Sequence, residues 1–513
     1  FFAGNEQSAQ MVRSILNDFY VFSGLKANDS KSCVFHANIE PNIANNICHV
    51  LQFPRGTLPM KYLGVPLITT KLKKIDCGEL LRKISARITS WNSRYLSYAG
   101  RVQLIHSVLF GIQTFWSAMF ILPKSVLKEM EQMMNRFLWN GDVTKAHGIK
   151  IAWDNVCTPK KEGGLGLKRL TDLNYVLNMK HIWNILSPNP QSLWVKWVHV
   201  HLLKNLSFWT VKPPSLCSWY WRKLLKLRPV VKPLIKNKIG NGDHTFLWHD
   251  NWHPKGPLAL AYGDRVMYDA GIPSCARINT IINGSNWDWP ITRSPRARSS
   301  ALIDIKRHMS QMRASRDVPD SVVWIPSADG QYQVKSTWTA MFPRLSTVHW
   351  HNLVWFAGAV PRHSFLLWIA LHTRLATHDR IHHFTPGPLA CVFCMSHMEN
   401  HDHLFFQCPY TCFIWQGLLQ RMDIQYVNRP WEDLTMWAAQ KWKKRKNPSH
   451  VIPKVCLGAT VYFIWRERNA RTFGTTAKPR EVVLADICSH MSAMINIRWK
   501  GDPHVASYLE CWS

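Results

Sequence analysis

The chain has 513 residues and carries 63 Lys+Arg against 32 Asp+Glu, a formal charge of +31. At roughly 100–200 residues per domain this length predicts three or four structural units, and 46% hydrophobic residues, 26 of them Trp, argue against a disordered chain. No apolar run reaches the roughly 18 residues that span a bilayer, and the opening Phe1-Phe2-Ala3-Gly4-Asn5 is no signal peptide, so the sequence predicts an intracellular protein, nuclear or cytoplasmic and not secreted. The start reads like a chain cut in mid-domain. A surplus of 31 positive charges points to a polyanionic partner, nucleic acid before an anionic membrane, because neutralising phosphates releases counterions. Thirteen cysteines, an odd number, imply reduced thiols.

In chain order, residues 1–70 read as a mixed α/β piece. Met11, Val12, Ile15, Leu16, Phe19 and Tyr20 recur at helical spacing, predicting a helix over Gln7–Phe22 that Ser23-Gly24 ends. Ser32-Cys33-Val34-Phe35 reads as strand-like, and Met60–Leu67 as a strand-turn element in which Pro66 favours an edge or a turn. From Leu80 to Trp139 the pattern is helical: one helix through Leu80, Leu81, Ile84, Ile88 and Trp91, a second over Val102–Phe120, and a third opened by Pro123-Lys124-Ser125. Three helices without strands predict a bundle-like module.

Gly163-Gly164-Leu165-Gly166 lacks the spacing of a phosphate loop and reads as a tight turn. Trp324–Trp338, with Gly330 and alternating Tyr332 and Val334, predicts a short hairpin, and Thr292–Ser300 a loop. Residues 426–513 read as helical, with a basic run at Lys441, Lys443, Lys444, Arg445 and Lys446 that suits a solvated face.

Cysteines cluster in one place. Cys391-Val392-Phe393-Cys394, then His403 and Cys408, give C-x2-C-x8-H-x4-C. Two thiolates on a tight turn supply one edge of a tetrahedron, and a His and a Cys on a second element supply the other, which suits a closed structural zinc site. His401, Cys412 and His397 stand close enough in sequence to be alternative ligands.

Catalytic machinery is not visible. Two-metal polymerisation needs acidic side chains that hold ions about 4 Å apart, yet the chain has no Asp-Asp pair, and Glu6, Asp18, Asp29 and Glu40 form no metal-binding pattern. Walker, Ser/His/Asp and His-Glu-x-x-His motifs are absent as well.

These segments resemble the C-terminal part of the reverse transcriptase of plant-type non-LTR (LINE-like) retrotransposons, over nearly the whole chain. Phe1-Phe2-Ala3-Gly4 looks like the strand after the polymerase's aromatic-Ala-Asp-Asp turn, and Phe22–Asn28 with Ser30-Lys31-Ser32 like the next palm motif. The resemblance implies that Lys26, Asn28 and Lys31 sit near the active-site floor, where family members often carry a further Lys at the position of Asp29. Tyr62-Leu63-Gly64 matches a primer-grip-like turn, with Tyr62 and Gly64 near nucleic acid. Trp91, Leu96–Arg101 and Phe137-Leu138-Trp139 resemble the helical thumb, whose phosphate contacts would be Arg82, Lys83, Arg87, Arg94 and Arg101. Gly163–Gly166 and Phe246–Trp252 match motifs of the connecting region. Trp355, Pro361, Trp368, Arg374-Leu375 and the cluster Cys391, Cys394, His403 and Cys408 look like the reverse-transcriptase zinc-binding domain. Its His-Leu-Phe-Phe-x-Cys stretch selects His403 over His401 and leaves Cys412 a bystander. Val461–Asn469 resembles the element's C-terminal helix, with no ribonuclease H motif after it.

The resemblance implies an α+β, mostly helical fold. It divides the chain into a palm remnant (1–70), a helical thumb (71–148), a connecting region with short strands (149–345), a zinc-binding domain (346–425) and a helical C-terminal region (426–513). By descent this is an RNA-directed DNA polymerase. Without the aspartates it is expected to be a truncated, catalytically incompetent fragment that holds structural zinc and binds RNA and DNA, such as a template–primer duplex, with little sequence preference. Two competitors are the C-terminal portion of an active polymerase whose palm lies upstream, the one case that would need Mg, and a domesticated zinc fold that binds protein.

Overall fold

A computed structural model describes residues 2–91, 95–144, 148–187, 192–283, 286–289, 299–310, 312, 318–342, 346–382, 389–425, 428–444, 447–474, 476–499 and 512. Phe1, Arg94, Thr292–Arg298, Arg445 and Lys446, all read above, lie outside them. The chain forms two compact units: Phe1–Cys77 with Val211–Arg228, and Gly78–Thr210 with Pro229–Ser513.

In the first unit, helix α1 (Glu6–Ser23) starts where the Asn5 side chain accepts from the Ser8 amide, and it stops at Gly24, whose φ of 70° no β-carbon opposes. Ala9 packs against Ile47 and Leu51 of α2 (Pro41–Leu51). The opposite stripe of α1, with Met11, Ile15, Phe19 and Phe22, stays exposed. Strands β1 (Met60–Tyr62) and β2 (Val65–Leu67) form an antiparallel hairpin through Leu63 and Gly64, both at positive φ. The strand expected near Ser32–Phe35 shrinks to a single bridge, Val34 to Arg55. The bridge consists of the Val34 amide donating to the Pro54 carbonyl and the Gly56 amide donating to the Val34 carbonyl.

The second unit begins with helices. On α3 (Gly78–Ser90), Leu80, Ile84 and Ile88 recur every four residues and are fully buried. The second helix expected from sequence is α4 (Tyr98–Leu104) and α5 (Phe110–Met119), joined by a π-helical turn at Ile105–Leu109. The third is α6 (Lys124–Asn140), ended by Gly141 at φ 74°. A fourth, α7 (Leu170–Leu186), closes the bundle against α5 and α6. The closure is polar as well as apolar: Asn174 Nδ2 donates to the carbonyls of Ser117 and Phe120, and its Oδ1 accepts from the Leu122 amide at 2.9 Å. Glu131 on α6 accepts from the Leu170 amide at 2.7 Å, capping α7.

The connecting stretch is organised by a buried carboxylate, because Asp320 accepts from the amides of Gly240, Gly242 and His244 and from the Thr245 hydroxyl. Strands β3 (Ile235–Lys238) and β4 (Ser321–Trp324) pair antiparallel beside it. The hairpin expected over Trp324–Trp338 does not form. Trp324 ends β4, the chain turns at Gly330, and Val334–Met341 is helix α8. A tertiary contact overrides the alternating pattern: the Trp324 indole N–H donates to Thr337 Oγ1 at 2.9 Å, holding α8 against the strand.

Near the C-terminus α9 (Pro361–Leu371) packs on α12 (Pro448–Thr472), and α10 (Pro409–Arg421) packs on α13 (Arg480–Arg498), with α11 (Trp431–Lys441) between them in sequence. The fold is thus mostly helical, and its described strands are short and paired in twos. Among the described residues, no helix is long and apolar enough to cross a membrane.

Candidate metal centre

Beyond α9, the residues around Cys391 make a narrow turn. An isolated bridge joins Ala390 to Met398, the Cys391 amide donates to the His397 carbonyl at 2.7 Å, and Met395, at φ 55°, reverses the chain. That turn places two thiols side by side. A π-helical turn at His403–Gln407 follows, in which the Cys408 amide donates to the His403 carbonyl, and Cys408 also stands at the N-terminus of α10. The Asn400 side chain accepts from the His403 amide at 2.8 Å and fixes the start of this turn.

The result is a cluster: one ligand atom each from Cys391, Cys394, His403 and Cys408, all within 4.8 Å of one another. The sulfurs of Cys391 and Cys408 are 3.9 Å apart, and Cys394 Sγ is 3.2 Å from His403 Nε2. Tetrahedral coordination with Zn–S near 2.3 Å and Zn–N near 2.0 Å has S···S and S···N edges of about 3.8 and 3.5 Å. The donor set therefore fits a zinc-sized ion. Its electrostatics agree. The facing Cys408 thiol draws Cys391 down, while the same contact and burial push Cys408 up. Burial opposes ionisation of Cys394, but the amides of Ser396 and His397 and the Ser396 hydroxyl outweigh it and bring the thiol to about 5. Three sulfurs this close ionise together only around a cation.

Of the alternative ligands, His401 is buried beside Phe405, with burial holding its imidazole down to about 4, and Cys412 lies a turn into α10; neither joins the cluster. His397 Nδ1 is 4.0 Å from Cys394 Sγ and its ring stacks on that of His403 at 5.0 Å, but it is not part of the cluster.

Two supports behind the metal turn carry no local sequence signal. Glu399 holds the end of the turn, its amide donating to the Leu389 carbonyl, and its carboxylate accepts from the His378 amide and from Arg468 on α12. Phe393, between the two cysteines, stacks on Tyr410 at 4.5 Å, and the Arg471 guanidinium of α12 caps both rings at 5.0 and 4.7 Å.

The residues expected near nucleic acid are dispersed. In the first unit Lys26 and Lys31 are exposed after α1, with the Lys31 amide bonded to Asn28 Oδ1; Tyr62 is exposed at the end of β1, and Gly64 forms the turn beside it. In the second unit Arg82, Lys83 and Arg87 line the solvent face of α3, the first two drawn to Glu79 at 2.6 and 3.8 Å. Arg101 is turned inward: its guanidinium donates to the carbonyls of Leu138 and Trp139 at the end of α6 and lies over the Tyr98 ring. The motifs at Gly163–Gly166 and Phe246–Trp252 are structural. The Gly163 carbonyl accepts from the Trp368 indole and from His372, and a β-carbon at Gly164 would lie 2.0 Å from the Thr158 carbonyl oxygen. In Phe246–Trp252, Trp248 and Trp252 are core residues, and Asp250, pushed up to about 7 by burial, bonds back to the Phe246 amide.

Residues 332–415, which contain all four clustered ligands, match the family described as zinc-binding in reverse transcriptase. The chain is also similar to a putative ribonuclease H protein of Arabidopsis thaliana, 26% identical over 439 residues, or 82% of this chain and 68% of that one. An uncharacterized mitochondrial protein of the same plant is 27% identical over 134 residues, 26% of this chain and 86% of the relative. The chain therefore carries a reverse-transcriptase-type zinc-binding domain within a longer stretch related to a plant ribonuclease H-like protein.

Proposed function

We propose that the chain is a truncated piece of a plant-type non-LTR retrotransposon reverse transcriptase that holds structural zinc and binds nucleic acid without performing polymerisation by itself. The observation that carries this reading is the coincidence of the family match with a four-ligand cluster of zinc dimensions. In this reading 1–70 is the palm remnant, 71–148 the thumb, 149–345 the connecting region, 346–425 the zinc-binding domain and 426–513 the helical end. Zinc supplies no chemistry here; it fixes the turn of Cys391 and Cys394 against α10. The charge of +31 and the exposed cations of α3 support phosphate contacts with template–primer RNA or DNA. No Asp-Asp pair is present to hold two catalytic ions. Titrating affinity for an RNA–DNA duplex against salt tests the reading: a steep log–log fall with little sequence preference is expected. A folded, metal-loaded chain without duplex binding at moderate salt would favour a protein-interaction module instead.

The exposed stripe of Met11, Ile15, Phe19 and Phe22 on α1 favours a second reading, in which an upstream palm covers it and completes an active RNA-directed DNA polymerase using Mg. Primer extension by a longer product, lost on mutating its upstream aspartates, separates the two.

A further inference from the structure

Away from the metal, α9 and α12 border a cavity of about 580 Å³ in the second unit. That is within the range of about 300–1,000 Å³ typical of small-molecule sites. Tyr98, Trp465 and Phe473 bring aromatic rings to it, and Lys150, His378 and Arg468 bring nitrogen. No Asp or Glu is among its described lining residues.

Lys150 is uncompensated among the described residues. It is half-buried, burial draws its pKa down, and it has no hydrogen-bond or ion-pair partner among the described residues. Arg468, by contrast, is committed to Glu399, and His378 to the Glu399 carboxylate and the Ala390 carbonyl. A partly desolvated ammonium without a counter-charge is costly, and an entering anion recovers that cost. The rings narrow the choice of anion. Trp465 is half-buried with the Arg468 guanidinium 5.1 Å from its ring, and Phe473 is 78% exposed. A flat π-surface beside a free cation suits a ligand with a heteroaromatic ring and a phosphate.

We infer that this cavity takes one nucleotide unit, its phosphate on the Lys150 ammonium and its base against Trp465. The inference rests on the nucleic-acid-binding reading and gives it a place for an unstacked nucleotide. A free mononucleotide presents the same chemistry as a nucleotide within a single strand, and the test separates them.

The full zinc-loaded chain is titrated with fluorescein-labelled oligothymidylate, with a labelled duplex, and with thymidine 5′-monophosphate or thymidine as competitors. Lys150→Met and Trp465→Leu should each weaken oligothymidylate binding by roughly tenfold and leave duplex binding unchanged, Lys150→Arg should restore it, and the monophosphate should compete where thymidine does not. Monophosphate binding that needs Lys150, alongside strand binding that does not, makes a free nucleotide the occupant. If both variants bind strand and monophosphate like the parent, the inference falls while duplex binding keeps the broader reading. If the parent binds none of the three, both fall. Unchanged zinc content and thermal melting show that the variants are folded.

Discussion

Arg468 and Glu399 form an ion pair sealed from solvent, with Nη2 2.7 Å from Oε1 and side chains 3% and 0% exposed. One partner sits on α12, the other ends the turn that carries Cys391 and Cys394, and 69 residues separate them. The pair ties the metal turn to the C-terminal helices. Removing the arginine leaves a buried carboxylate whose remaining partner among the described residues is His378. Arg468→Met should therefore cost about 3–5 kcal/mol of stability, read by denaturant unfolding. Adding Glu399→Gln should return part of it, since no unpaired charge then remains. A single variant within 1 kcal/mol of the parent, roughly the scale of a surface pair, would contradict this account.

The cluster geometry predicts one zinc per chain, measured by elemental analysis of purified protein. Cys391→Ser and His403→Ala should each abolish it, while His401→Ala and Cys412→Ser should retain it. Stripping the metal should destabilise the surrounding unit by several kcal/mol, on the order of 10 in small zinc peptides. Retention in the His403 variant with loss in the His401 variant would reverse the ligand assignment.

Salt sensitivity can be apportioned among residues. Neutralising Arg82, Lys83 and Arg87 on the exposed face of α3 together should lower the slope of log K against log salt by up to about 3, about one per phosphate contact. Arg101→Ala should instead lower thermal stability, because that guanidinium is bonded to the Leu138 and Trp139 carbonyls. An unchanged slope in the triple variant would remove α3 from the nucleic-acid surface.

Acid should unfold the C-terminal helices through His363. Burial, then the neighbouring His490 and Arg362, hold its imidazole down to about 3, and the ring is packed against Tyr462. Unfolded, it takes up a proton near 6.5. Between those values the unfolded chain binds more protons, so the stability contributed by the neutral ring is complete above about 6.5 and declines as pH falls toward about 3. His363→Phe should flatten the fall in denaturation midpoint across that window. A parallel pH profile in the variant would assign the acid sensitivity elsewhere.

Much of the helical framework was legible, because its signals are local. Leu80, Ile84 and Ile88 mark the buried face of α3, and Gly24 ends α1 where the sequence reading put its stop. The four clustered ligands were legible from spacing, although choosing His403 over His401 needed the family pattern. What was hidden depends on partners far along the chain. Nothing around Glu399 announces Arg468, and the strand partner of Trp324 is Ile235, far earlier in the chain. Tyr332 and Val334 alternate like a strand, yet Val334 opens helix α8, which the bond from Trp324 to Thr337 holds in place. Arg101, which the resemblance places among the thumb's phosphate contacts, bonds to the Leu138 and Trp139 carbonyls, partners that no local signal announces.

The stack of Phe393, Tyr410 and Arg471 bears on where this metal-binding piece can be cut. The family match stops at residue 415, but one wall around the cysteine turn comes from α12, which spans Pro448–Thr472 and leans in turn on α13. A fragment ending near 415 keeps every ligand and exposes the Phe393 ring, whereas one reaching past Arg498 encloses it. In hydrogen exchange the amides of the metal turn and of α12 should accordingly open together, as one cooperative unit whose boundaries are wider than the motif that marks it.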